Sequence, residues 1–167
     1  MFRIALLAPQ IGPNAGNIIR TSAATGCELH LIKPLGFDMS DKHLRRAGLD
    51  YHDLATVVVH ENFEEAYASW AESGPVKIYA FASEGTMPHS DIAYKAGDVL
   101  LFGSEQTGLD QTVLDDPRIW AVSRIPMLPV PRSLNLATSA AIVAYEAWRQ
   151  NGYQDSGPHT PASGEFN

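Results

Sequence analysis

The chain contains a single cysteine and no long apolar segment. Cys27 is the only cysteine among 167 residues, which excludes an internal disulfide and fits a reducing cytoplasm. No apolar run approaches the roughly eighteen residues that indicate a membrane-spanning helix. The opening segment MFRIALLAP lacks a basic region and a small-residue cleavage site. We therefore interpret it as a buried strand and not as a secretion signal.

Several sequence motifs of common enzyme classes are also missing. No G-x-G-x-x-G follows any apolar run, which argues against a nicotinamide or flavin site of the Rossmann type. The chain has no G-x-x-x-x-G-K-[ST] phosphate loop and no G-x-S-x-G nucleophile elbow. Its histidines, carboxylates and cysteine do not occur at metal-ligand spacing, so we predict no metal site.

Positive charge is scarce and unevenly placed. The net charge is −7, with a balance of +2 over residues 1–52 and −9 over residues 53–118. The only dense basic cluster, Lys42, Arg45 and Arg46, lies in the segment DKHLRRAG. Such a cluster is usually a solvated surface, but in an acidic chain it is also a candidate contact for nucleic acid.

Apolar runs alternate with helical patterns along the chain. The runs predict strands at residues 2–8, 27–33, 55–60, 76–82, 98–103 and 120–125. Helices are predicted at residues 14–26, 40–48, 62–74, 107–115 and 134–150. The alternation is typical of an α/β fold with a mostly parallel sheet covered by helices on both faces. We predict one domain over residues 1–153 and a disordered tail over residues 154–167.

In such folds ligands bind at the carboxyl ends of the strands. The first strand is followed by PNAGNIIR, in which Asn14 is predicted to cap the helix and Gly26 to end it. Asn14, Asn17 and Arg20 recur every three residues and share a helical face. They form either a solvated polar stripe or an anion site at the helix start, with Arg20 holding a phosphate or a ribose.

Two later strand ends carry further candidate residues. In FGSEQTGL, Gly103 allows either a tight turn or a close approach to a ligand, and Glu105 is either a helix-start residue or an orienting carboxylate. In IPMLPVPRSLN, three prolines stiffen a loop that leads into an alanine-rich helix. The small residues fit ordinary helix packing, a partner subunit or a threaded chain.

These three segments, taken in order, resemble the three motifs of the SPOUT-class (trefoil-knotted) RNA ribose 2′-O-methyltransferases. The resemblance covers residues 4–153; Ser104 stands where close relatives often carry proline. It implies a C-terminal deep trefoil knot, bound S-adenosylmethionine, no metal and a cytoplasmic homodimer. The segment KPLGF…DKHLRRAGLDY, without an appended RNA-binding domain, resembles the branch that methylates the wobble nucleotide, C34 or U34, of tRNA.

The resemblance also implies roles for individual residues. Arg20, with Asn17, would activate the ribose 2′-hydroxyl or orient the adjacent phosphate. The implied contacts to the anticodon stem-loop are Asn14, Lys42, Arg45, Arg46 and His52. The implied cofactor-binding residues are Phe81, Ala82, Gly103, Glu105, Ile125, Ser133, Leu134 and Asn135. Two alternatives stay open: a methylase of the same fold that acts on ribosomal RNA, and a non-catalytic RNA- or ligand-binding module.

Overall fold

A computed structural model describes residues 1–39, 57–129 and 133–157 of the chain. In these residues seven strands form a single sheet, and every pair of neighbouring strands runs parallel. The strands are β1 (Arg3–Leu7), β2 (Glu28–Ile32), β3 (Val57–His60), β4 (Ile78–Phe81), β5 (Met87–Pro88), β6 (Val99–Phe102) and β7 (Ile119–Arg124). The helices are α1 (Gly12–Thr25), α2 (Phe63–Ala71), α3 (Gln111–Leu114) and α4 (Leu136–Gln150), with a 3-10 helix at His89–Asp91.

The strand order across the sheet is β3-β2-β1-β6-β4-β7-β5. The central strands β4 and β6 are buried along their whole length, which explains why their sequences are continuously apolar. Helices cover both faces. On one face α1 and α4 pack over a cluster that includes Leu6, Ile18 and Val143. On the other face α2 and α3 pack over a cluster that includes Ala80, Leu101 and Trp70.

This arrangement confirms the predicted α/β class with a parallel sheet covered on both faces. The six predicted strands and four of the five predicted helices are present. The fifth helix, predicted at residues 40–48, lies outside the described residues. Strand β5 and the 3-10 helix were not predicted, because two residues that include Pro88 give no periodic signal. The trefoil knot and the domain boundary at residue 153 remain predictions.

The start of α1 differs from the prediction. The N-cap residue is Ile11 and not Asn14. The Ile11 side chain makes no capping hydrogen bond. Pro13 lies in the first turn, where a missing N–H is tolerated, and Gly26 ends the helix in the left-handed conformation as predicted. Asn14 therefore lies inside the first turn and is only 6% exposed.

Asn62 is the N-cap residue of α2. The Asn62 side chain accepts a hydrogen bond from the backbone N–H of Glu65 at 2.9 Å. The Glu65 carboxylate, however, accepts from the N–H of Glu61 at 3.0 Å and not from that of Asn62. The reciprocal bond of a capping box is thus shifted by one residue. In the described part of the chain, no helix has the length and apolar character needed to cross a membrane.

Candidate active site at the carboxyl edge of the sheet

A cavity of about 550 Å³ opens at the carboxyl ends of β4, β6 and β7. All eight residues predicted to bind the cofactor lie in its wall: Phe81, Ala82, Gly103, Glu105, Ile125, Ser133, Leu134 and Asn135. The topology explains this convergence, because parallel strands that are far apart in sequence end at the same edge of the sheet. The start of α1 and the first turn of α4 close the cavity through Ile11, Asn14, Leu136 and Ser139.

Glu105 connects the turn after β6 to the start of α1. Its carboxylate accepts hydrogen bonds from the backbone N–H of Gln10 at 2.7 Å and that of Ile11 at 3.1 Å. It also accepts from Nδ2 of Asn14 at 2.9 Å. The carboxylate thus caps α1 from a distant part of the chain, which is why α1 needs no local cap. These are contacts of an orienting carboxylate, and the part of the chain that it orients is the start of α1.

The ionisation of Glu105 follows from these contacts. Burial alone would raise the pKa of its carboxyl group. The hydrogen bonds from Gln10, Asn14 and Ile11 favour the charged form and together outweigh burial, so the pKa lies below its ordinary value. Glu105 is therefore an anion at neutral pH and serves as an acceptor only.

Asn14 and Asn135 extend this network to α4. Nδ2 of Asn135 donates to Oδ1 of Asn14 at 2.9 Å, while Oδ1 of Asn135 accepts from the backbone N–H groups of Ala137 and Thr138. Asn135 is thus the N-cap of α4 and also holds α1. Both polar atoms of the buried Asn14 side chain are engaged within the protein. This geometry argues against the predicted contact between Asn14 and RNA.

The turn after β6 depends on Gly103. A Cβ atom at Gly103 would lie 2.1 Å from the carbonyl carbon of Gly108 and 2.4 Å from the nitrogen of Leu109. Ser104 and Gly108 also exchange backbone hydrogen bonds across this turn, at 3.2 and 2.9 Å. The close approach that requires glycine is therefore to the turn's own backbone, so the tight-turn interpretation accounts for Gly103.

The cavity wall combines aromatic and polar surfaces. The rings of Phe81 and Phe102 stack with centroids 4.9 Å apart and form an apolar floor. The polar wall groups include Ser83, Glu84 and Thr107, which were not among the predicted site residues. Their position directly after β4 and β6 is the sequence signal that could have found them. Among the described residues, no group of three or more His, Cys, Asp and Glu side chains converges as metal ligands would.

Arg20 and Asn17 do not line this cavity. Both are exposed on α1, one turn apart. Arg20 is six residues beyond Asn14, a rise of about 9 Å along the helix. Within one protomer, the predicted catalytic pair is therefore separated from the predicted cofactor residues. The remaining predicted RNA contacts, Lys42, Arg45, Arg46 and His52, lie outside the described residues.

The fold and the cavity together define a class of protein. The SpoU rRNA Methylase family matches residues 1–145, and the chain belongs to this family. A tRNA (cytidine(34)-2′-O)-methyltransferase from Methylovorus glucosotrophus is 49% identical over 153 residues, which span 92% of this chain and 97% of that protein.

Solved structures show the same similarity. A structure described as giving insight into the 2-OH methylation of C/U34 on tRNA superposes with a TM-score of 0.82 at 39% identity, covering 92% of this chain and 98% of that one. The SpoU methyltransferase AviRb from Streptomyces viridochromogenes, in complex with AdoMet, superposes with a TM-score of 0.75 at 25% identity. That match covers 90% of this chain and 60% of AviRb.

Proposed function

We propose that this protein transfers a methyl group from S-adenosylmethionine to the ribose 2′-hydroxyl of the wobble nucleotide, C34 or U34, in tRNA. The observation that carries the proposal is the cavity, in which three sequence motifs from distant parts of the chain meet. The similarity to tRNA (cytidine(34)-2′-O)-methyltransferases, over nearly the full length of both chains, supports the choice of substrate.

The residues of the cavity fit the proposed cofactor. A volume of about 550 Å³ lies in the range of small-molecule sites. Phe81, Phe102, Leu109 and Ile125 offer apolar surface for the adenine ring, and Gly103 and Leu134 bring backbone to the wall of the cavity. When bound, S-adenosylmethionine supplies a methyl group that its sulfonium already activates.

The contribution of the protein to such a reaction is mainly positioning. Well-oriented reactants can lower a barrier by about 7–11 kcal/mol in ideal cases. The network of Glu105, Asn14 and Asn135 fixes the walls of the cavity, so that one geometry is held before substrate arrives. Arginine stays protonated at neutral pH, so Arg20 would donate hydrogen bonds to the ribose oxygen or the adjacent phosphate and would not take the proton.

We propose further that the active unit is a homodimer in which Arg20 completes the cavity of the other subunit. Arg20 lies on the surface of α1 and away from the cavity of its own chain. Large apolar side chains near the cavity and on α4 are exposed in the single chain: Ile11, Met127, Leu128, Leu134 and Tyr145. A second subunit that covers them would bring its own α1 to this edge.

We propose that the anticodon stem-loop is contacted by the basic cluster of Lys42, Arg45 and Arg46, together with His52. Its support is the concentration of positive charge in an acidic chain. Asn17, exposed beside Arg20, is proposed to act with it. A cytoplasmic location follows from the proposed substrate. Each of these proposals rests on the main one.

Transfer of labelled methyl groups from S-adenosylmethionine to unmodified total tRNA tests the main proposal. The wild-type protein and Arg20→Ala are compared, and the label is located by digestion and mass spectrometry. Label on the wobble 2′-oxygen with wild type, and its loss with Arg20→Ala, is the expected result. Label on ribosomal RNA, supplied in a parallel reaction, and none on tRNA would keep the enzyme class and change the substrate. Binding of S-adenosylmethionine without transfer to either RNA would indicate the non-catalytic module.

A further inference from the structure

The described lysine and arginine side chains are mostly occupied by partners within the protein. Four of them form ion pairs with carboxylates: Arg3, Lys33, Arg118 and Arg149. A fifth, Lys77, places its ammonium 3.9 Å from the centroid of the Trp120 ring. A cation that is paired with a carboxylate attracts a phosphate only weakly.

Arg124 differs from these residues in both position and surroundings. It is the last residue of β7 and directly precedes Ile125, which lies in the wall of the cavity. Within the described part of the chain, no hydrogen bond or ion pair joins its guanidinium to another residue. It is partly exposed, so its charge is available at the edge of the sheet where the cavity opens.

The backbone that presents Arg124 is held firmly. Arg124 pairs with Pro88 of β5, and the neighbouring Ser123 hydroxyl donates to the carbonyl of Met87 at 2.8 Å. Gly85 packs so closely that a Cβ there would lie 2.4 Å from the carbonyl carbon of Ser123 and 2.9 Å from the nitrogen of Arg124. Because the backbone of Arg124 is fixed, less conformational entropy is lost when its guanidinium binds a ligand.

The pattern of the strand tells which face Arg124 occupies. Ala121 packs against the cluster beneath α1 and α4, and Val122 packs against the cluster beneath α2 and α3. Because side chains alternate along a strand, Arg124 projects on the same face as Val122. This is the face opposite to α1, which carries Arg20. At the other end of β7, Arg118 is bound by both Glu64 and Asp116.

We propose that Arg124 binds a phosphate group of the substrate RNA next to the methylated nucleotide, on the side of the cavity opposite to α1. This proposal rests on the proposed function, because it assumes that a ribose enters the cavity from an RNA strand. The phosphates that flank a ribose lie on its two sides, so an RNA strand crossing this edge of the sheet brings one of them to the α2 face. A guanidinium binds a phosphate through two parallel hydrogen bonds, which fixes orientation as well as charge.

Binding of a fluorescent anticodon stem-loop RNA, followed by anisotropy over a series of salt concentrations, tests the proposal. We expect Arg124→Ala to weaken binding about tenfold, the size of one charge-assisted hydrogen-bonded contact. The slope of log affinity against log salt should fall by about 0.7, because one fewer single-strand phosphate is neutralised. Arg124→Lys should keep the salt slope and recover part of the affinity, since it retains the charge and loses the fork.

Lys95→Ala is the matched control. It removes the same charge from an exposed residue of the segment before β6, at the opposite edge of the sheet, and should leave both affinity and slope unchanged. The affinity for S-adenosylmethionine, measured by calorimetry, should be the same in all variants, which shows that the cavity is intact. If Arg124→Ala bound RNA like the Lys95→Ala protein, the proposal would be wrong. Methyl transfer by the wild type is measured separately, so failure of the proposed function and failure of this inference give different results.

Discussion

The clearest prediction for a single residue concerns the Glu105 carboxylate. It accepts three hydrogen bonds at the start of α1, and an amide in its place would bring two donors to a site that holds only donors. We expect Glu105→Gln to lower the free energy of unfolding by about 1–3 kcal/mol and to weaken binding of S-adenosylmethionine. Chemical denaturation and calorimetry measure the two effects.

Glu72→Gln is the control for this substitution, since Glu72 is an exposed carboxylate at the end of α2. It should change neither quantity. Because the pKa of Glu105 is below the ordinary 4.5, its contribution to stability is present above that pH and is lost as the pH falls through the folded-state value. Equal stability of the Glu105→Gln and wild-type proteins at pH 7 would show that the carboxylate is not needed.

A buried pair of histidines predicts a loss of stability in mild acid. Nδ1 of His30 lies 2.9 Å from Nε2 of His60, and their rings stack beside Trp70. Burial, together with the charge that His60 would carry, lowers the pKa of His30 to about 4 from 6.5; burial also lowers the pKa of His60. Glu28, 3.5 Å from Nε2 of His30, opposes this effect.

The sign follows from these shifts. Between pH 6.5 and about 4 the histidines are protonated in the unfolded chain but neutral in the folded protein. The pair therefore does not destabilise the fold above pH 6.5, and the free energy of unfolding falls as the pH drops below 6.5. We expect the free energy of unfolding to drop by roughly 1–3 kcal/mol across this range. His30→Gln should flatten the dependence on pH in urea denaturation. A wild-type stability that stays constant from pH 7 to pH 4.5 would contradict the assignment.

At the residue scale the sequence predicted the members of the cavity better than their roles. Parallel strands that end just before Ala82, Gly103 and Ile125 could be recognised from apolar runs, and the resemblance supplied the rest. The role of Asn14 could not be found in this way. Its partners are Glu105 and Asn135, 91 and 121 residues away, and no local pattern reports a contact over such a separation.

Two helix caps offer a matched comparison at the scale of elements. Asn135 caps α4 at the cavity, and Asn62 caps α2 away from it. Each substitution to alanine should lower stability by about 0.5–2 kcal/mol, as lost caps generally do. Only Asn135→Ala should also weaken binding of S-adenosylmethionine, because only Asn135 also holds Asn14 and lines the cavity. Equal loss of ligand affinity in both variants would assign the effect to general destabilisation.

The turn after β6 gives a second prediction at this scale. Alanine at Gly103 would place its Cβ against the backbone of Gly108, so the turn must open. We expect Gly103→Ala to lower the melting temperature and to weaken ligand binding, both followed by a thermal shift assay with and without S-adenosylmethionine. Gly157→Ala is the control, since a Cβ there meets no atom within 4 Å. A Gly103→Ala protein with wild-type behaviour would mean that the turn rearranges freely.

The elements themselves could be predicted where the physics is local. The continuous apolar runs of β4 and β6 and the Gly26 stop of α1 were visible in the sequence. The N-terminus of α1 was placed wrongly because its cap is a carboxylate from another motif. The order of the strands was beyond reach, since β6 pairs between β1 and β4 through contacts that no segment specifies alone.

For the whole molecule, the proposed exchange of Arg20 between subunits can be tested by complementation. Arg20→Ala and Asn135→Ala proteins, each with low activity, are unfolded together, refolded and assayed for methyl transfer. If Arg20 acts on the partner, each mixed dimer contains one unaltered site, and random pairing should restore about a quarter of the wild-type activity. If Arg20 acts within its own chain, mixing restores nothing. The wild-type protein taken through the same refolding sets the scale.

The hydrogen bonds that join Asn14, Glu105 and Asn135 also bear on synthesis of the chain. The ribosome releases α1 early, but both partners of Asn14 follow much later, and Asn135 comes only after the last strand, β7. All seven strands can have left the exit tunnel while the cavity still lacks its α4 wall. A chain that has released its seven strands but not α4 can therefore be largely folded and still unable to retain the methyl donor, so ligand binding reports the arrival of α4 as well as the folding of the sheet.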